Sequence, residues 1–315
     1  MRQSNQVIFA RSAANEYTEG GNLKLEEQIK FESDGLTLDG VLHVPDDWKP
    51  SEKRTAMLVL HGFGGSKNGG GSVAQAELLA KWGYVALRFD FRGCGDSEGR
   101  RGYIRCFDQV ADTRNAVSWL AKREEVDPDR IGSGGGSFGA AVTVYTAGID
   151  KRIAAAISIG GWGNGERKFR GQHPTPEAWQ KFTSMLEAGK KHRQETGEEL
   201  MVPRWDIVPI PEHLRKNVNP DANMEFPAET AQSMFDFKAD EVVGNIAPRP
   251  LLLLHSASDS VTPTEQSVEM FKRAGKPTEL ILLADIDHFP FADESSRTVD
   301  ILKGWLDRYF PASVS

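Results

Sequence analysis

Ser137, Asp259 and His288 are three side chains that together can open an acyl bond, and they occur in that order along the 315-residue chain. A serine hydroxyl is a weak nucleophile at its own pKa, so it needs a neighbouring base and a third group to orient that base. An imidazole fills the first role by taking the hydroxyl proton and later returning it to the leaving group. A carboxylate fills the second by accepting from the other ring nitrogen and stabilising the imidazolium. Ser137 sits in Gly135-Gly136-Ser137-Phe138-Gly139, a G-x-S-x-G pentapeptide. Residues 130–133 before it can form a short strand, and residues 140–147 are small and apolar enough to begin a helix. At such a turn the hydroxyl is lifted out at the strand's C-terminal end. The flanking glycines are required because a Cβ would not fit where helix and strand approach closely.

The other two candidates also follow apolar runs. Pro250-Leu251-Leu252-Leu253-Leu254-His255 reads as a buried strand and leads into the loop carrying Asp259. Residues 279–283 form the last such run and lead into Ala284-Asp285-Ile286-Asp287-His288-Phe289. Asp285 and Asp287 compete with Asp259 for the acid role. An acid immediately before a histidine points away from the ring it would have to orient, which favours Asp259. Upstream, residues 55–60 form a strand running into His61-Gly62-Phe63-Gly64-Gly65. A tetrahedral intermediate needs two donors for its oxyanion. The expected pair is the N–H of Phe138, directly after the nucleophile, and the N–H of Phe63 in this upstream turn. His61 is expected to brace the turn.

These loops need a scaffold. Residues 27–31 and 36–44 alternate as a hairpin around Ser33-Asp34-Gly35. From residue 55 the pattern becomes strand, loop and helix, with helices expected at 72–82 and 106–123 and strands at 84–89 and 152–159. Such alternation indicates a mostly parallel sheet with helices on both faces. The regularity stops at Gly160-Gly161-Trp162-Gly163. Residues 163–244 read as an inserted, mainly helical cap, with residues 175–192 as its clearest helix, because structureless loops of that length are uncommon in a compact domain. The division is therefore an N-terminal extension at 1–25, a core at 26–162 and 245–315, and the cap between its halves. Cap residues including Phe182, Phe226 and Phe237 supply its apolar stock, and some should face the serine. Trp162 and Trp205 are the substrate-binding candidates.

Composition narrows the function classes. Hydrophobic residues make up 39% and the mean hydropathy is −0.44, as in globular proteins. No stretch reaches the ~18 consecutive apolar residues of a spanning helix, and the start lacks the apolar core of a secretory signal. A cytoplasmic location without membrane association is the expectation. Two cysteines, Cys94 and Cys106, are too few for a disulfide framework. The net charge of −7 argues against a nucleic-acid partner. The glycine runs lack the endings of a nucleotide loop, and no metal-ligand spacing occurs, so no cofactor or metal is indicated. A small acyl compound is the expected partner, and a homodimer is compatible with the sequence.

With these motifs in hand the chain resembles an α/β-hydrolase, in particular the dienelactone hydrolase-like and X-prolyl peptidase-like serine hydrolases. The resemblance rests on His61-Gly62-Phe63-Gly64-Gly65, Asp90-Phe91-Arg92-Gly93-Cys94-Gly95-Asp96-Ser97, the serine pentapeptide, the Asp259 loop and His288. It covers roughly residues 28–162 and 245–312. It implies the α/β-hydrolase fold and a serine hydrolase acting on an ester, thioester or amide. Dienelactone hydrolases proper carry a cysteine nucleophile where this chain has Ser137, which favours general acyl-serine chemistry over lactone-specific chemistry. The resemblance also leaves open carbon–carbon hydrolysis of a diketone or ring-cleavage product, and acyl transfer. It assigns the Asp90 to Gly93 stretch to the rim of the site and to bracing of loops.

Overall fold

A computed structural model describes residues 25–291 and 296–313. The proposed N-terminal extension lies, apart from residue 25, outside the described residues. Strands β1 (Leu25–Ser33) and β2 (Leu36–Val44) form the hairpin, turning at Asp34 and Gly35, whose φ values are 51° and 82°. The remaining strands of the main sheet are β3 (Arg54–Leu60), β4 (Val85–Phe89), β5 (Val126–Gly136), β6 (Ile153–Ile159), β9 (Leu251–Ser256) and β10 (Thr278–Leu283). Their order in the eight-stranded sheet is β1-β2-β4-β3-β5-β6-β9-β10. β2 pairs antiparallel with β1 and β4, and all other pairings are parallel.

Successive side chains of the central strands divide between two cores. In β3, Ala56, Leu58 and Leu60 face one, while Met57 and Val59 face the other. In β9, Leu251 and Leu253 divide from Leu252 and Leu254 in the same way. The smaller core is closed by α1 (Gly70–Lys81) and α9 (Ser296–Tyr309), through Ala76, Leu79, Leu302, Trp305 and Leu306. The larger is covered by α2 (Cys106–Leu120), α3 (Phe138–Ile149) and α8 (Glu265–Arg273), and continues into the segment after β6.

That segment leaves the sheet and returns at one place. Asn164 and Lys238 form an isolated bridge, flanked by bonds from Gly165 N–H to Phe237 O (2.9 Å) and from Asp240 N–H to Gly163 O (2.9 Å). Between them lie α4 (Gly165–Gln172), α5 (Pro176–Thr196), β7 (Met201–Pro203), α6 (Arg204–Ile207), β8 (Glu225–Pro227) and α7 (Ala228–Asp236). Sequence explains the limits of α5. Thr175 caps its start by accepting from Ala178 N–H at 3.2 Å, Pro176 occupies the first turn, and Gly197 ends it at φ 77°. The β7–β8 pair was not expected from a segment that reads as helical. Phe169 and Phe182 stack with ring centroids 4.4 Å apart and form an apolar centre for the segment with Phe235 and Trp179.

Candidate active site

The turn between β5 and α3 holds Ser137 at φ 53° and ψ −111°. A non-glycine residue with positive φ is strained, and such strain persists only where the surroundings over-determine it. Here they do. Ser137 N–H donates to Ile159 O at 2.8 Å, and the flanking glycines admit backbone where no side chain fits. A Cβ on Gly139 would lie 2.7 Å from His61 O, and one on Gly135 would lie 2.6 Å from the Gly139 carbonyl carbon. The pentapeptide therefore brings the Ser137 turn against the loop that follows β3.

The loops after β9 and β10 meet beside this turn. His288 Nδ1 lies 2.8 Å from Asp259 Oδ2 and 3.1 Å from Oδ1. Asp259 Oδ1 also accepts from Val261 N–H at 2.8 Å and Thr262 N–H at 2.6 Å. The carboxylate is 1% exposed, which by itself disfavours its charge. The adjacent His288 and His255, the latter with Nε2 3.3 Å from Oδ2, outweigh that burial and hold the carboxyl well below the usual carboxylate range. A charged acceptor fixes the proton of His288 on Nδ1 and leaves Nε2 as the free lone pair. Asp285 and Asp287 are engaged elsewhere. Asp287 accepts from Ser260 N–H and Oγ–H and from the N–H of His288, and Asp285 pairs with Arg297. Among the described residues no hydrogen bond links the Ser137 hydroxyl to the His288 ring, although both line one cavity.

Phe63 and Phe138 are buried, with ring centroids 5.9 Å apart. Among the described residues neither main-chain N–H has a hydrogen-bond partner. Buried N–H groups without partners are rare in folded proteins, so these two are available donors. The loop behind Phe63 is pinned from below. His61 Nδ1 lies 2.8 Å from Gly62 O and its Nε2 accepts from Phe91 N–H at 3.2 Å, which assigns the proton to Nδ1. Burial pushes this imidazole down, so it is neutral. Asp90, fully buried, accepts from Lys67 N–H and from its ammonium at 2.7 Å, and Asp96 and Asp39 lie 2.6 and 3.0 Å from the same nitrogen. These three carboxylates are the one acidic cluster with metal-like spacing among the described residues, and the Lys67 ammonium sits among them. The motif at Asp90 thus braces the loop.

Ser137 and His288 open into a cavity of about 430 Å³. Its apolar lining includes Val208, Ile210 and Val218 from the inserted segment and Phe289 and Phe291 after β10. The two tryptophans named from the sequence are not brought to it. Trp162 is fully buried behind the turn, edge-on to Phe138 at 6.3 Å and to Phe237 at 5.4 Å. Trp205 lies between Arg204 and Arg215, whose guanidinium carbons stand 5.7 and 4.7 Å from its ring centre. Phe182, Phe226 and Phe237 do not line the cavity either, because packing the insertion on itself and on the core consumes them. The share of the lining that this segment supplies comes instead from Arg204 and from the chain between α6 and β8.

Comparison with known proteins decides the family. The family model described as "Serine aminopeptidase, S33" matches residues 51–295. The chain belongs to this family of α/β-hydrolases. This hydrolase is 28% identical over 298 residues to the polyketide transferase grgF of a Penicillium species, spanning 86% of this chain and 93% of that one. It is 26% identical over 291 residues to the thiohydrolase aneE of Aspergillus aculeatus, spanning 86% and 89%. The structure of a hypothetical protein from Pseudomonas aeruginosa matches with a TM-score of 0.80 at 20% identity, covering 98% of this chain and 100% of that one. These matches establish the α/β-hydrolase fold and a hydrolytic enzyme, without distinguishing the narrower branch to which the motifs pointed. Among the described residues of this hydrolase no helix is long and apolar enough to cross a membrane.

Two residues of the hydrolase's site were not found from sequence. His255, read only as the end of a strand, is buried with Nδ1 2.6 Å from Ser267 Oγ and Nε2 against both Thr262 O and Asp259. Its position four residues before Asp259 was a usable signal. Arg204 is buried in the cavity wall, donating to Phe63 O at 2.6 Å and to Asn223 O at 3.0 Å. Nothing in the local sequence separates it from a surface arginine.

Proposed function

We propose that this hydrolase cleaves a carboxylic ester, thioester or amide through an acyl-serine intermediate. Ser137 is the nucleophile, His288 the base and Asp259 the group that orients and charges the base. The observation that carries the reading is the 2.8 Å contact between His288 Nδ1 and Asp259 Oδ2, which leaves Nε2 free in the cavity that Ser137 also lines. In the first step the Ser137 Oγ proton passes to His288 Nε2 while Oγ bonds to the acyl carbon. The oxyanion that forms accepts from the N–H groups of Phe63 and Phe138. Collapse expels the leaving group, which takes the proton from Nε2. Water then repeats the sequence, releasing the acid and restoring the serine. Hydrogen bonds of this kind are often long before substrate binds and tighten in the Michaelis complex.

Hydrolysis rates for 4-nitrophenyl esters from acetate to decanoate test the proposal. The apolar lining calls for kcat/KM to rise from acetate to medium chains, and Ser137→Ala should lower it by about 10,000-fold or more. Undiminished turnover by folded Ser137→Ala removes the acyl-serine route. A preference for acetate with no gain from longer chains removes the apolar pocket. Acyl transfer to an acceptor other than water is a second reading. It is favoured by the apolar side chains of Val208, Ile210 and Val218 in the lining, and by the transferase name of one relative. Added alcohol or thiol acceptors yielding a new ester faster than free acid would select it.

A further inference from the structure

The cavity has a charge asymmetry that an apolar acyl pocket does not need. Although the chain carries 45 acidic and 38 basic residues, among the described residues no aspartate or glutamate lines the cavity. Arg204 and Lys216 both do. Arg204 is 5% exposed, and among the described residues no carboxylate pairs with it. Its two recorded bonds go to neutral carbonyls, of Phe63 and Asn223, and its Nε has no partner. Burial pulls the guanidinium down to about 10, so it still carries its charge at neutral pH. Lys216 is exposed and likewise without a recorded acidic partner. A buried charge without a countercharge is costly, and the ring faces of Phe63, Trp205 and Phe226, 5.1, 5.7 and 5.9 Å from the guanidinium carbon, offset that cost only in part.

A further stretch of the lining has the same sign. The N-terminal turn of α1 reaches the cavity through Gly69, Gly70 and Gly71. It has no side-chain cap and no acid in its first turn. Among the described residues the N–H groups of Gly70 and Gly71 have no partner, and a Cβ on either would meet nothing within 4 Å. Free N–H groups at a helix start carry partial positive charge and accommodate anions.

We propose that the substrate of this site carries an anionic group, a carboxylate or a phosphate, and that the positively charged lining around Arg204, Lys216 and the start of α1 selects it. The inference rests on the acyl-serine reading for its chemistry, but its charge argument can be tested without turnover. 4-Nitrophenyl hydrogen glutarate and 4-nitrophenyl pentanoate are similar in length and differ in charge. The glutarate ester should have the higher kcat/KM by tenfold or more at low ionic strength. That ratio should shrink with added sodium chloride and by severalfold in Lys216→Glu. Equal or faster turnover of the pentanoate, with Ser137 still labelled by a fluorophosphonate, overturns the inference and leaves the serine mechanism standing. Calorimetric titration of Ser137→Ala with glutarate and with butyl phosphate separates the two anion chemistries. Tighter binding of one, weakened in the Lys216→Glu background, supports the proposal and names the group. Binding of neither overturns it, whatever the fate of the acyl-serine reading.

Discussion

Replacing Asp259 by asparagine preserves the shape of the side chain and reverses the logic of the histidine. In the native site Oδ1 accepts from the N–H groups of Val261 and Thr262 at 2.8 and 2.6 Å, so the oxygen of an asparagine must remain there. The amide NH2 then occupies the Oδ2 position, 2.8 Å from His288 Nδ1 and 3.3 Å from His255 Nε2. Facing a donor, His288 has to present a lone pair at Nδ1, which moves its proton to Nε2. A protonated Nε2 cannot take the Ser137 proton. The same exchange in a Ser-His-Asp triad lowers kcat about 10,000-fold, and at about 1.36 kcal/mol per decade that is roughly 5 kcal/mol of transition-state stabilisation. The assay is kcat on a 4-nitrophenyl ester for Asp259→Asn, Asp285→Asn and Asp287→Asn, with circular dichroism and melting curves to establish that each is folded. The expected result is a loss of that size for Asp259→Asn and changes below tenfold for the other two. A folded Asp259→Asn protein within tenfold of wild type, or a larger loss at Asp285 or Asp287, refutes the assignment of the acid.

Other consequences follow from the same geometry. Gly139→Ala places a Cβ 2.7 Å from His61 O, so it should cost about 1–3 kcal/mol or more in chemical denaturation and abolish activity in whatever protein remains folded. Lys67→Met strands the fully buried Asp90 carboxylate, for which a loss of about 3–5 kcal/mol is expected in urea unfolding. Because the Asp259 carboxyl is depressed on folding, the stability it contributes is complete above its unfolded value of about 3.9 and is withdrawn as pH falls toward the folded one. Between about pH 5 and pH 2 the urea midpoint of Asp259→Asn should therefore fall less steeply than that of wild type.

The sheet and the three loop tips were legible because each depends on local rules. The continuous apolar runs in residues 55–60 and 250–255 specify strands buried on both faces, and the glycines of the pentapeptide leave few alternatives to a strand-to-helix turn. The long helix beginning at Pro176 carries its own cap and stop in Thr175 and Gly197, and Gly83 at φ 92° ends the helix near 72–82. The cavity lining was not legible in this way. Val208, Ile210 and Val218 are ordinary apolar residues in a proline-rich stretch, and only tertiary packing turns them toward Ser137 while drawing Phe182 and Trp162 into cores. Size and aromaticity were poor guides for that reason, since large rings are the residues a core most readily consumes. Arg204 was invisible for a related cause. Its role follows from burial and from the absence of a carboxylate partner among the described residues, and neither is a property of its sequence neighbourhood. Helix α9 did leave a signal, since Leu302, Trp305 and Leu306 recur at helical spacing toward the smaller core.

The most direct test is covalent. The purified protein is treated with a fluorophosphonate, and the modified peptide is mapped by mass spectrometry. The account predicts a single adduct on Ser137, formed quickly in wild type, slowed by orders of magnitude in His288→Ala and absent in Ser137→Ala. An adduct at another serine, or labelling of Ser137 at an unchanged rate without His288, would contradict it.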